Sequence, residues 1–153
     1  MKSGTVFKDS LGRKNRMLLF GRDSDTLKER YIYQSLHSAN RKYFPIWTRD
    51  LKKMGSPVHP EGNATTNWEN NLDYGMYQHY KGNLYRLLFF ARDADTLEKT
   101  LVYQGQYSDE EFGIMPVWTR ALKTFQQPLT DGRERYKYIG SNILRSIVKN
   151  QKL

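Results

Sequence analysis

Apolar residues along this chain fall in short runs of strand length, cut by Gly, Pro, Asn and Asp. Two runs stand out, MLLF after Arg16 and LLFF after Arg86. Each opens a longer stretch, RMLLFGRDSDTLKERYIYQ in one case and RLLFFARDADTLEKTLVYQ in the other, 70 positions apart with no gap. Eight of the twelve pairs from Arg16/Arg86 to Leu27/Leu97 are identical. A second match follows one residue further out of step, PIWTRDLKK at Pro45 and PVWTRALKT at Pro116. The repeat unit is therefore a whole domain of about 70 residues, present twice in tandem.

Side chains on a strand alternate between faces. Strict alternation places the identical residues Arg16, Leu18, Phe20 and Arg22 on one face, as it does Arg86, Leu88, Phe90 and Arg92. A strand apolar on both faces is covered on both, or bent into a small barrel. In the first unit the pattern predicts strands at Thr5–Phe7, Arg16–Asp23, Tyr31–Gln34 and Tyr43–Trp47, with a helical turn over TRDLKK. A last strand at Thr65–Trp68 follows a Pro-, Gly- and Asn-rich loop. In the second unit it predicts Met76–Tyr80, Leu84–Asp93, Leu101–Tyr107, Phe112–Thr119 and Tyr136–Ile139. Five short strands with turn signals between them argue a small all-β barrel in each unit. The units span 1–70 and 71–140. In the tail 141–153, Ile143, Leu144, Ile147 and Val148 share one helical face behind a Ser141 cap, which predicts a short C-terminal helix.

Composition narrows the function. There is no cysteine, which excludes disulfides, thiolate metal sites and a cysteine nucleophile. The start, MKSGTVFKDS, lacks a signal-peptide core, and no stretch reaches the length of a membrane span, so a cytoplasmic protein with no membrane partner is expected. Each unit is small enough that the two are expected to support each other, and a homo-oligomer is a further way to add interface. The net charge of +9 favours anionic partners. Eleven tyrosines beside that charge suit stacking on bases, although tyrosine is also a favoured strand residue.

The second unit resembles a known family. Tyr77-x-His79-Tyr80-Lys81-Gly82-Asn83-x-Tyr85, then Ala91-Arg92, Thr96-Leu97-Glu98, Val102-Tyr103, Tyr107 and Arg120, are similar to the small bacterial and phage domain called domain of unknown function 1653. The resemblance implies an SH3-like β-barrel and brings no established activity. It covers about Gly75–Ile139. The chain has Asp93-Ala94-Asp95 where the family usually has His-Ser-Glu, and Ala121 where it has a proline. The first unit has Asp9-Ser10-Leu11-Gly12 in place of HYKG, so a site built on His79 and Lys81 exists once. The fold expected is all-β: two tandem SH3-like five-stranded small barrels with a short C-terminal helix.

Catalysis is poorly supported. The three histidines, His37, His59 and His79, lie in unmatched positions, and there is no phosphate loop and no zinc spacing. Asp23/Asp25 and Asp93/Asp95 read better as turn caps than as cation ligands. A non-enzymatic protein with no cofactor is expected. The polar and aromatic positions that recur are Arg22/Arg92, Tyr33/Tyr103, Gln34/Gln104, Trp47/Trp118, Thr48/Thr119 and Arg49/Arg120. Arginine offers bidentate donors to an anion, and Trp and Tyr offer flat surfaces for a ring. The alternative is that the tryptophans are core anchors and the arginines pair with Asp23, Asp93 or Glu29. Three functions follow. The first is capture of an anionic, nucleotide-like small molecule; the family's distribution extends it to a phage anti-defence protein sequestering an immune signalling nucleotide. Its expected ligand set is Arg92, Tyr103, Gln104, Trp118 and Arg120 with His79 and Lys81, and Arg22, Tyr33, Trp47 and Arg49 on the first unit. The second is a nucleic-acid-binding tandem barrel, and the third a module docking an acidic protein.

Overall fold

The computed structural model describes residues 1–37, 45–55 and 72–141. The strand expected at 65–68 and the helix expected over 141–153 lie outside the described residues, as does His59.

The chain is mostly β. In order, the strands are β1 Val6–Lys8, β2 Lys14–Asp23, β3 Glu29–Ser35, β4 Ile46–Asp50, β5 Met76–His79, β6 Leu84–Asp93, β7 Lys99–Gly105, β8 Ser108–Asp109, β9 Gly113–Ile114, β10 Val117–Ala121 and β11 Tyr136–Gly140. A short helix, α1, spans Leu122–Gln126. Thr48–Asp50, expected in a helical turn, extend β4, because their backbone pairs with β3; only Leu51–Lys53 turn helically. The strand expected over Phe112–Thr119 is broken: Pro116 has no N–H to give, and Met115 sits at φ 48°.

The two repeats share one sheet. Its order is β11-β5-β6-β4-β3-β2-β10-β7, with β1 on β2 and a further β6–β7 pairing. Two pairings cross between repeats, and both are parallel: Trp47 lies opposite Arg92 where β4 meets β6, and Trp118 opposite Arg22 where β10 meets β2. These are the same pairing seen from each repeat in turn. With β6–β7 they close a hydrogen-bonded ring of β2, β3, β4, β6, β7 and β10.

The expected alternation fails at one matched place in each long strand. Register slips between Met17 and Leu19 against β3, and between Leu87 and Phe89 against β7. Such a bulge puts an extra residue into the strand and bends it. Met17 and Leu87 therefore enter their own repeat's core, whereas Leu19 and Phe89 turn to a core between the repeats. That third core holds Ile32, Ala91 and Val102 with Leu18, Ile46 and Val117 around them. Ile32 and Val102 occupy equivalent positions and neither is exposed. Full burial of such a side chain contributes roughly 1.5–3 kcal/mol, so the shared core binds the repeats into one body.

Candidate functional site

The recurring Asp-x-Asp-Thr turn explains much of the recurring charge. Asp23 Oδ1 accepts from the amides of Asp25 (3.0 Å) and Thr26 (2.8 Å), and Asp93 Oδ1 from those of Asp95 (2.9 Å) and Thr96 (3.0 Å). Leu27 and Leu97 close these turns at φ 59° and 62°. Arg22 donates to the Leu27 carbonyl and to Glu29, each at 3.3 Å, and Arg92 donates to the Leu97 carbonyl at 2.8 Å.

Arg49 and Arg120 each clamp the other repeat's turn. Arg49 is buried, and its Nε and Nη2 both lie 3.3 Å from Asp95 Oδ1. Arg120 donates from Nε to Ser24 Oγ (2.6 Å) and from Nη2 to Asp25 Oδ1 (3.0 Å). Recurrence of two arginines per repeat thus has a structural cause. Trp47, Tyr33 and Tyr103 are core residues at 1–2% exposure, and Trp47 Nε1 donates to Ser35 Oγ at 3.1 Å. Gln104 donates to the Met115 carbonyl at 3.2 Å.

Of the expected ligand set, the structure gathers His79, Lys81, Tyr103 and Arg120 on the second repeat. Trp118 lies opposite Tyr103, so Tyr103, Trp118 and Arg120 share a face of the sheet. Arg92, at the far end of β6, does not join them. Other side chains complete the cluster. The Tyr85 and Tyr107 hydroxyls meet at 3.3 Å, and those of Tyr103 and Tyr136 at 3.4 Å. The Tyr136 ring stacks on Phe125 with centroids 4.1 Å apart, and the Arg120 guanidinium lies 5.7 Å from its centroid. The His79 ring packs against Tyr80 and Tyr136 at 4.4 and 4.9 Å.

The cluster is made of donors. Burial, with the charges of Arg120, Arg135 and Lys81, pushes the His79 pKa down to about 4. His79 is therefore neutral at pH 7. Its Nδ1 accepts the Lys81 amide at 3.3 Å, so its proton sits on Nε2, which donates. Burial raises the phenols of Tyr85, Tyr103 and Tyr136, which keep their protons. Arg120 Nη1 and Arg135 Nε are buried and have no acceptor among the described residues.

Sequence reasoning missed Arg135 as a site residue. The signal available was a basic residue beside Tyr136 in a strand already predicted. In the first repeat Asp9 stands where His79 does and binds Arg13 at 2.8 Å, and Asn15 replaces Tyr85. The cluster accordingly exists once. Among the described residues no group of three or more His, Asp or Glu is arranged to hold a metal, and no helix is long and apolar enough to cross a membrane.

The family described as Protein of unknown function (DUF1653) matches residues 75–138, which contain the whole cluster. A solved DUF1653 protein from Bordetella bronchiseptica is 31% identical over 46% of this chain and 91% of its own, with a TM-score of 0.41. No curated protein matches the chain.

Proposed function

The chain belongs to the DUF1653 family through its second repeat, and from that premise we propose that it is a non-enzymatic binding protein that captures an anionic, nucleotide-like small molecule on that repeat. One observation carries the reading: Arg120 Nη1 and Arg135 Nε are buried donors without acceptors among the described residues, both close enough to His79 to depress its pKa. A phosphate accepts from those donors, and the half-buried rings of Tyr85, Tyr107 and Tyr136 give a base or sugar a flat neighbour. The reading includes no turnover, a cytoplasmic setting, and sequestration of a signalling nucleotide in phage counter-defence as its biological form. In this reading each repeat is an SH3-like five-stranded barrel fused to its neighbour instead of closed on itself; β5, β6, β7, β10 and β11 are the strands of the second.

The test is calorimetric titration of the full chain with mono-, di- and cyclic nucleotides. Arg135→Ala removes one charge-assisted contact and is expected to weaken binding by about ten- to a hundredfold. Lys123→Ala, at a side chain 81% exposed, is the control and should change nothing. Unchanged affinity in folded Arg135→Ala sinks the site.

The net charge of +9 favours a second reading, nucleic-acid binding. There, many Lys and Arg each contribute a little and affinity falls steeply with salt. Equal small losses for Arg135→Ala and Lys123→Ala, with a steep salt slope, would select it.

A further inference from the structure

A groove of about 290 Å³ lies where β2 of the first repeat meets Pro116–Trp118 of the second. Its apolar walls are Phe20, Phe112 and Val117, and Phe20 is 40% exposed. Gly21 lines it, and a Cβ there would come within 2.8 Å of the Val117 carbonyl oxygen. Arg22 and Glu29 also line it, 3.3 Å apart, with the Arg22 guanidinium 5.7 Å from the Phe112 centroid. Both charges remain open to solvent, at 39% and 57% side-chain exposure. Arg30, deeper, is already held by Asp93 and Thr48.

The charge arrangement belongs to the first repeat alone. In the second, Ala91 replaces Gly21 and Lys99 replaces Glu29. So the repeat carries a cation at both places but an adjacent acid at one. A cation and an anion side by side over aromatic walls disfavour a polyphosphate, whose charge would face Glu29. They match a ligand that carries one charge of each sign and a ring.

We propose that this groove is a second binding site, taking a small aromatic zwitterion of the α-amino-acid class: carboxylate on Arg22, ammonium on Glu29, ring between Phe20 and Phe112. Arginine grips a carboxylate through two donors, and an ammonium donates to Glu29 in return. A ring beside Phe112 gains the edge-on or offset contact that aromatic pairs prefer.

The experiment titrates the full chain with L-phenylalanine, 3-phenylpropanoate, which lacks the ammonium, and 2-phenylethylamine, which lacks the carboxylate. L-phenylalanine is expected to bind, and each analogue to bind about tenfold more weakly or less. Glu29→Gln should weaken L-phenylalanine about tenfold and leave 3-phenylpropanoate no weaker, since only the ammonium loses its partner. Arg135→Ala should leave L-phenylalanine binding unchanged, which separates this groove from the cluster on the second repeat. Because both charges are exposed, thermal melting should find Arg22→Gln and Glu29→Gln folded. The proposal is overturned if L-phenylalanine does not bind at millimolar concentration, if all three probes bind alike, or if Glu29→Gln has no effect.

Discussion

Arg49 and Asp95, 46 residues apart, meet at 3.3 Å across the line where the two repeats join. The guanidinium is 3% exposed and the carboxylate 20%. The equivalent pair on the other side, Arg120 and Asp25, leaves its carboxylate 48% exposed. Removing the partner of a buried charge is far more costly than removing a solvated one. Asp95→Ala is therefore expected to destabilise the protein by about 3 kcal/mol, because Arg49 stays buried without its anion. Asp25→Ala should cost less, about 1–2 kcal/mol, because Arg120, although only 11% exposed, keeps Ser24 Oγ and loses a more solvated acid. Urea denaturation of the two variants checks the asymmetry, and equal losses would show that burial does not set the strength of these clamps.

Gly21 meets Val117 at the crossing of β2 and β10. An added Cβ would lie 2.8 Å from the Val117 carbonyl oxygen and 2.9 Å from its Cγ1. Gly21→Ala should lower stability by roughly 1–3 kcal/mol, the usual cost of overpacking. Adding Val117→Ala should recover only part of it, since the carbonyl stays in place. Full rescue by the double variant would mean that the backbones are not in contact there.

Much of this fold is legible in the chain, and the rest is absent for identifiable reasons. The repeat, the long strands and the Asp-capped turns follow from local patterns. The bulges at Met17/Leu19 and Leu87/Phe89 do not, because register depends on the partner strand. The parallel joins of β4 to β6 and β10 to β2 link strands far apart in sequence, and nothing local marks them. Arg49 shows why recurrence alone does not mark a site. Sequence shows that a cation recurs, but not whether its anion is a ligand or the other repeat's turn. The informative signal was that Asp25 and Asp95 recur with them. Within the cluster, His79, Lys81, Tyr85 and Tyr107 were visible through the family motif, whereas Arg135 and Phe125 were not.

His79 gives the protein a pH signature. Its folded pKa of about 4 lies below the ordinary histidine value of about 6.5. Between those values the unfolded chain binds a proton that the folded one does not, so stability falls as pH drops from 6.5 towards 4. Above pH 6.5 the contribution is fully present. His79→Gln should flatten the stability profile in that window and leave the profile above pH 7 unchanged. Affinity for a cyclic nucleotide, whose phosphodiester does not titrate in this range, should also stay flat from pH 5.5 to 8 if His79 acts as a neutral donor. A break in affinity near pH 6.5 that disappears in His79→Gln would show that the imidazole titrates normally.

The last expectation concerns cooperativity between the repeats. The Ser24 amide donates to the Thr119 carbonyl, and the Ala94 amide to the Thr48 carbonyl, each at 2.9 Å and each across the join. If the repeats were independent barrels in loose contact, these amides would exchange whenever the interface opened, well before either repeat unfolded. The closed ring of six strands argues otherwise. Opening the join breaks both parallel pairings, exposes Ile32 and Val102, and strips Arg49 of Asp95 in one event. The Ser24 and Ala94 amides should then show the same exchange free energy as amides paired within a repeat, such as Ile32 and Val102, and urea should unfold the chain in one transition. Exchange at Ser24 and Ala94 about tenfold or more faster than at Ile32 and Val102, or two separate urea transitions, would show that the join opens by itself.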